Sequence, residues 1–315
     1  MTTFGDQLRH AFGPDRVMQD ARLNDFTTFQ VGGPADWLVE TRSSEEIVRG
    51  LALARAAGVP VTLLGGGSNV LVSDSGVRGV VIHPRGGQIA MIDERCLRAD
   101  AAVTINGLVR WTIVHGVAGL ASWAGTPGTV GGAIWGNAHF LGRHIGDSVV
   151  SSKLVDRTGN VQEVPALEMA FGYDHSRPQQ TGEVVLSATF RVHPGEPAAL
   201  RTEARESLAY RKRTQPLDIP SAGCVFRNPG QPSSGAGRDI PATAGALLDR
   251  AGLKGFAIGG ARVSPTHGNF IVNEGTASAA DIRRLIEHCR RTVRERFGVE
   301  LKEEIVYLGQ FDRLT

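Results

Sequence analysis

Stretches whose apolar residues recur every three or four positions alternate along this chain with short runs that are apolar throughout. Ser43 or Ser44 can cap a helix, and EEIVRGLALARAAG at 45–58 keeps helical spacing up to Gly58. Residues 59–64 read as a short strand running directly into a glycine run, 79–83 as another strand, and 96–104 as a third. Residues 105–115 read as a helix ending near Gly116. Residues 152–164 alternate as a hairpin with its turn at Thr158-Gly159-Asn160. A short helix over 165–171, a strand over 183–193 and a basic helix over 197–213 follow. Residues 214–241, rich in proline and glycine, read as a loop and a candidate domain boundary. The pattern closes with a helix over 243–251, a strand over 269–273, a long helix over 279–297 and a last strand over 303–308. Strands and helices alternate irregularly, which predicts an α+β fold rather than a regular doubly wound sheet.

At 315 residues the chain has room for two or three domains at ~150 residues each. Charged residues make up 21% and hydrophobic ones 41%, a globular balance, and the net charge is only +2 with no long block of one sign. Nucleic acid is therefore not an expected partner. The start, MTTFGDQLRHAFG, lacks the basic end and apolar core of a secretion signal. The most apolar long stretch, 108–125, is broken by Arg110 and His115 and is too polar to cross a membrane. Cys96, Cys224 and Cys289 stand far apart, so neither a disulfide framework nor a zinc knuckle is expected. His139 and His144 lack ligand partners at zinc spacing, so no metal is expected either. A reducing cytoplasm fits best.

The 40 glycines change this picture, because they cluster. Gly65-Gly66-Gly67 follows a strand, with Ser68 and Asn69 as further donors. Gly125, Gly128, Gly131 and Gly132 form a second cluster beside Thr126 and Thr129. Glycine lets backbone N–H groups approach a phosphate without a side chain in the way. Tight turns between strands account for one such run equally well. No GxGxxG opens a helix after a strand and no GxxxxGK[ST] occurs. A Rossmann half and a triphosphatase loop are thus unsupported, and a cofactor with a pyrophosphate bound by another fold remains.

Seven ordered blocks carry a resemblance across almost the whole chain: TTFQVGGPA at 27–35, LLGGGSNVLVSD at 63–74, AGTPGTVGGAIWGNAH at 124–139, FGYDHS at 171–176, PSAGCVFRNP at 220–229, AGLKGFAIGGARVSPTHGNFIVN at 251–273 and LKEEI at 301–305. The chain resembles the UDP-N-acetylenolpyruvoylglucosamine reductases of peptidoglycan precursor synthesis, in the compact form that lacks an extra tyrosine-bearing loop. The resemblance implies an FAD-binding region of the vanillyl-alcohol-oxidase type (PCMH-type) over 1–213. Its two subdomains are roughly 1–85 and 86–213, the first completed by a C-terminal strand within 304–315. An α+β substrate-binding domain over 214–303 follows. It also implies NADPH as co-substrate, a UDP-sugar enolpyruvyl ether as substrate, and a cytoplasmic enzyme, read here as a monomer. Gly65, Gly66, Gly67, Ser68 and Asn69 would hold the pyrophosphate. Thr126, Pro127, Gly128, Thr129, Gly132 and Ala133 would lie along the flavin. Rival readings are a flavin oxidase or dehydrogenase of the same fold, and a flavin- or sugar-nucleotide-binding protein without catalysis.

Hydride delivery to a vinyl carbon leaves negative charge on its neighbour and the attached carboxylate, which calls for a proton donor and a cation. Cys224 stands in Ser221-Ala222-Gly223-Cys224, where most of the family has serine, and a thiol is a competent acid; the bland reading is a buried, inert cysteine. Glu304 matches the last acid of the family's LExEV pattern and would polarise the substrate carboxyl. Glu303 would face the other side of a strand as a solvated acid. The family arginine that binds the carboxylate falls at Asp174, which has the wrong charge. Either Arg177 is the nearest replacement, with Arg227 and Lys212 as others, or the carboxylate is stabilised less well and turnover is slower. Tyr210, Arg211, Lys212 and Arg213 cluster before PSAGC; Lys212 suits a diphosphate, or is part of a solvated basic helix end. Tyr173 and Asn228 complete the expected substrate contacts.

Overall fold

The computed structural model describes residues 2–230 and 240–312. The chain forms two compact units. One comprises Met1–Asp20, Asp36–Gly66 and Gly79–Tyr210, the other Ala21–Ala35, Gly67–Arg78 and Arg211–Thr315.

The first unit carries a four-stranded sheet in the order Val17–Arg22, Pro34–Thr41, Val77–Pro84, Val61–Leu63. Its last two strands are parallel, and the helix Ser44–Ala56 leads into Val61–Leu63. Ser43 accepts the N–H of Glu46, which settles the cap between the two expected serines. A second helix, Phe4–Phe12, is closed by a Thr3–Asp6 capping box and packs Leu8 and Phe12 with Val17, Val39, Ala54 and Val80. Neither this helix nor the strands Val17–Arg22 and Pro34–Thr41 was expected, because their apolar residues are too few and irregular to set a period.

The same unit holds a five-stranded antiparallel sheet in the order Val161–Pro165, Val149–Val155, Val184–Arg191, Cys96–Asp100, Ile89–Asp93. The centre strand is buried along nearly its whole length, as its apolar run requires. The expected hairpin turn is held by Asp156, which accepts from the N–H of Thr158 and of Asn160. These bonds, the Thr158 hydroxyl first among them, hold its carboxyl down to about 2. The helices Ile105–Val114 and Val130–Gly136 share a core with this sheet through Leu97, Leu108, Val130, Ile134, Ala188 and Phe190. The helix expected over 165–171 is only a 3-10 turn, Ala166–Glu168, because the hairpin strand continues to Pro165.

The second unit has an antiparallel sheet in the order Ser221–Cys224, Phe270–Asn273, Ala261–Val263, Ala257–Ile258. The strand Ser221–Cys224 lies inside what the sequence reads as loop; residues 231–239 of that loop lie outside the described residues. The helix Ala279–Phe297 buries Ile282, Leu285, Ile286, Cys289 and Val293, the three-and-four spacing its sequence predicts. A Ser278–Asp281 capping box opens it and left-handed Gly298 ends it. The last strand is Val306–Leu308, paired in parallel with Val70–Val72. Glu303 and Glu304 precede it.

Candidate functional site

In the first unit the two glycine clusters meet backbone to backbone. A Cβ on Gly66 would lie 2.6 Å from the Cα of Gly128, and one on Gly65 would lie 2.6 Å from Oγ1 of Thr129. No side chain fits there, so glycine is required by close approach and not merely by turn geometry. Gly128 has φ +95°. Thr129 then caps the helix Val130–Gly136 by accepting the N–H of Gly132. Gly67, with φ +62°, belongs to the second unit, and its Cβ would fall 2.1 Å from the carbonyl of Phe26. Among the described residues, the N–H groups of Gly66, Gly67 and Ser68 donate to no backbone carbonyl. That is the donor set an anionic pyrophosphate needs, so these residues fit a phosphate-bearing cofactor.

The FGYDHS segment is fastened to the end of the helix that follows the second glycine cluster. Ser176 Oγ and Gln179 Nε2 both donate to the carbonyl of Trp135 at 2.6 and 2.8 Å. Asn137, left-handed at φ +46°, donates to the carbonyl of Gly172. Gly172 and His175 exchange backbone hydrogen bonds around Tyr173 and Asp174, and Asp174 takes φ +51°. Aspartate tolerates this left-handed region better than most residues. The Asp174 carboxylate is 3.0 Å from Nδ1 of His139. Arg177 is differently placed. Its guanidinium makes a two-pronged pair with Glu183 at 2.8 and 3.0 Å, and Glu168 lies 3.8 Å away. Burial would raise the Glu183 carboxyl, but the Arg177, Thr181 and Gln162 bonds outweigh it and hold it low.

In the second unit the structure brings Cys224 and Glu304 to one place. Cys224 ends a strand, and the next residue, Val225, accepts the N–H of Glu304 at 2.8 Å. Arg227 donates its N–H to the carbonyl of Lys302, so 302–304 lies along 225–227. Asn69, from the first glycine cluster, donates its side-chain amide to the Glu304 carbonyl at 3.2 Å and accepts the N–H of Val306. Asn269 clamps both the N–H and the C=O of Phe226. Glu303 is no solvated acid: its carboxylate is 3.9 Å from Arg290 and bonds Tyr307. Burial, then Glu303, pushes the Tyr307 hydroxyl up.

Of the basic cluster, Lys212 is exposed while Arg211 is buried. Burial lowers the Arg211 guanidinium to about 10, and Cys224 acts in the opposite sense. The sequence names Arg211 only as a member of the cluster; alternation of buried and exposed positions near a helix end does not single it out. Asn228 accepts the N–H of Ala244 and so caps the next helix. Arg227 is half-buried and Tyr173 exposed. Cys289, by contrast, is fully buried, and burial pushes its thiol up to about 12, which leaves it inert at neutral pH.

The glycine clusters fit a phosphate-bearing cofactor, and in the second unit backbone pairing lays 225–227 along 302–304. Together with the family matches that follow, this makes the chain an FAD-dependent oxidoreductase. Residues 35–165 match the FAD binding domain family, and residues 215–308 match the family described as UDP-N-acetylenolpyruvoylglucosamine reductase, C-terminal domain. The chain belongs to the UDP-N-acetylenolpyruvoylglucosamine reductase family. A member from Synechococcus sp. (strain JA-3-3Ab) is 39% identical over 94% of this chain and 93% of its own length. One from Paracoccus denitrificans is 40% identical over 91% and 94%. The crystal structure of the UDP-N-acetylenolpyruvylglucosamine reductase of Thermus caldophilus superposes with a TM-score of 0.75 at 31% identity, covering 93% of this chain and 98% of that one.

Proposed function

We propose that this chain reduces the enolpyruvyl ether of UDP-N-acetylglucosamine to UDP-N-acetylmuramate in peptidoglycan precursor synthesis, with NADPH as reductant and FAD as cofactor. The observation that carries the reading is the placement of Cys224 one residue from Val225, which bonds Glu304, inside the family's C-terminal domain. When bound, FAD would supply the hydride transfer from NADPH to the terminal vinyl carbon of the substrate. The neighbouring ether carbon must then gain a proton, so that one hydride and one proton convert the vinylidene group to CH–CH₃. Cys224 donates that proton. Arg211 steadies the negative charge left on its sulfur. Glu304 polarises the substrate carboxyl, its backbone fixed by Val225 and Asn69. Gly65, Gly66, Gly67, Ser68 and Asn69 hold the pyrophosphate, and Thr126, Pro127, Gly128, Thr129, Gly132 and Ala133 lie along the flavin. Lys212 and Arg227 meet the substrate diphosphate, and Tyr173 and Asn228 its sugar. Residues 1–213 serve the cofactor and 214–303 the substrate.

The enzyme acts as a cytoplasmic monomer on a small sugar nucleotide, without a nucleic-acid or membrane partner. No helix among the described residues is long and apolar enough to cross a membrane. Purified protein is expected to be yellow, to bleach with NADPH without oxygen, and to recolour when the enolpyruvyl substrate is added. Recolouring only with oxygen points instead to an oxidase, and no bleaching to a binding protein. Replacing Cys224 by Ala is expected to slow recolouring by about 10²–10⁴-fold, the usual worth of a positioned acid, while Cys224→Ser keeps most of the rate. Equal rates in all three proteins would remove Cys224 from the reaction.

A further inference from the structure

We infer that Asn269 is a positioning residue for Cys224: its side-chain amide continues the sheet where the partner strand ends, and so fixes the backbone that follows the thiol. This rests on the reading above in which Cys224 donates the proton. Every residue concerned lies in the second unit.

Upstream, Cys224 is held loosely. Ser221 lies opposite Val272 and Cys224 opposite Phe270, so three steps along one strand oppose two along the other. The extra residue makes a bulge, and Gly223 within it takes φ +78°. A bulge interrupts the ladder and re-aims the side chain beside it, so the hydrogen bonds before Cys224 hold it less firmly than a regular pairing would.

Downstream, the backbone is clamped from both sides. Val225 donates its N–H to the carbonyl of Asn269 and accepts the N–H of Glu304, both at 2.8 Å. Phe226 comes next and is 1% exposed, so its N–H and C=O both need partners. The partner strand Phe270–Asn273 starts opposite Cys224, and its backbone ladder ends before Phe226 is reached. The Asn269 side chain fills that gap. Its Oδ1 accepts the Phe226 N–H at 2.9 Å, and its Nδ2 donates to the Phe226 carbonyl at 2.7 Å. A primary amide offers an acceptor and a donor side by side, as a peptide group does, so one side chain stands in for a strand residue. Asn269 is itself only 3% exposed, and its own N–H donates to Nδ1 of His267 at 3.2 Å.

No close substitute serves. Aspartate sets a second acceptor against the Phe226 carbonyl, and serine has a single hydroxyl for two groups. A buried backbone group left without a partner is costly, so the 225–226 backbone shifts and takes Cys224 with it. Glu304 has a second tie, to the Asn69 side chain, so the loss falls first on the thiol. Proton donation requires hydrogen-bond reach, and a displacement of about 1 Å can cost on the order of a hundredfold in rate.

The test is a double-mutant cycle on the flavin-bound full chain, reduced with dithionite and followed by recolouring on mixing with the enolpyruvyl substrate. Asn269→Asp is expected to lower the limiting rate of recolouring by roughly tenfold to a hundredfold. The half-saturating substrate concentration and the rate of bleaching by NADPH should stay as they are. In Cys224→Ala, where no acid remains to be placed, the same substitution is expected to add no further loss. Equal losses in the two backgrounds overturn the inference. So does a lowered melting temperature with recolouring unchanged, and so does a loss shared equally by bleaching and recolouring. If Asn269→Asp does not fold, Asn269→Ser, which keeps one of the two bonds, is read by the same comparison. An unaltered protein that fails to recolour, or a Cys224→Ala variant as fast as the parent, instead removes the underlying reading, which keeps the two failures apart.

Discussion

His83 is buried and His267 half-buried, one in each unit, and burial lowers the pKa of both. Burial lowers His83 below its ordinary value, against the opposing effect of the Leu64 carbonyl that accepts from its Nδ1 at 2.8 Å. Burial, then Lys254, lowers His267, whose Nδ1 accepts the N–H of Asn269 at 3.2 Å and so must carry no proton. In the unfolded chain both take up a proton near pH 6.5. As pH falls through that region the unfolded state binds protons first. The stability these residues allow is therefore present above about pH 6.5 and lost as pH drops toward their folded values. The urea midpoint of unfolding is expected to be lower at pH 5.5 than at pH 7.5, and His267→Gln is expected to narrow the gap. A gap that stays the same width with both histidines replaced by glutamine would show that they do not cause it. At this scale the sequence is informative about residues that act alone in a motif. Cys224 and Glu304 each stand in such a motif, and backbone pairing of 225–227 with 302–304 brings their segments together. His139 and Asp174 were not readable as a pair, because their contact spans two separate motifs and joins a histidine with no local partner to an acid that looks misplaced.

The helix Ala279–Phe297 shows how one motif serves two purposes. LLGGGSNVLVSD reads as a phosphate loop from its glycines, yet its last residue does something else. Asp74 accepts the N–H groups of Ala279 and Ala280 at 2.8 and 2.9 Å. These are two of the donors that every helix leaves without an internal partner, and a carboxylate there also meets the positive end of the helix dipole. Asn69, five residues earlier, ties the same segment to Glu304. The strand between them, Val70–Val72, pairs with Val306–Leu308. The loop thus anchors both the helix that buries the second core and the segment that presents Glu304. Asp74→Ala is expected to cost about 1 kcal/mol, the usual worth of a cap. Asp74→Asn, which keeps one acceptor, costs less. Both are measured by chemical unfolding, and an Ala variant as stable as the parent would show that water replaces the carboxylate without loss. Elements such as this helix were legible because nineteen residues repeat the apolar period more than five times. The strand Ser221–Cys224 was not, since four residues with a glycine carry no period. Its pairing with Phe270–Asn273 is decided by tertiary contact.

At the scale of the whole molecule, the chain leaves one unit and enters the other between Gly66 and Gly67, inside the glycine run itself. Each unit has a core of its own, so neither needs the cofactor to collapse. FAD binding should nevertheless be linked to stability, because a ligand that binds only the folded chain stabilises it by mass action. At free FAD about a hundredfold above its dissociation constant the gain is about 2.7 kcal/mol. For a chain of this size that corresponds to a rise of roughly 4 °C in melting temperature. Gly66 is where this coupling is most easily broken. An alanine Cβ at 2.6 Å from the Cα of Gly128 meets backbone and not a movable side chain, so one glycine cluster must separate from the other. Gly66→Ala is expected to purify with less flavin, and its melting temperature should respond weakly to added FAD, while without FAD it melts close to the stripped parent. The measurement is thermal unfolding of stripped and reconstituted protein, followed beside the flavin absorbance. A Gly66→Ala protein that retains flavin and gains the full increment would show that the cradle tolerates the extra carbon. The pyrophosphate role assigned to these loops would then have to move to other residues.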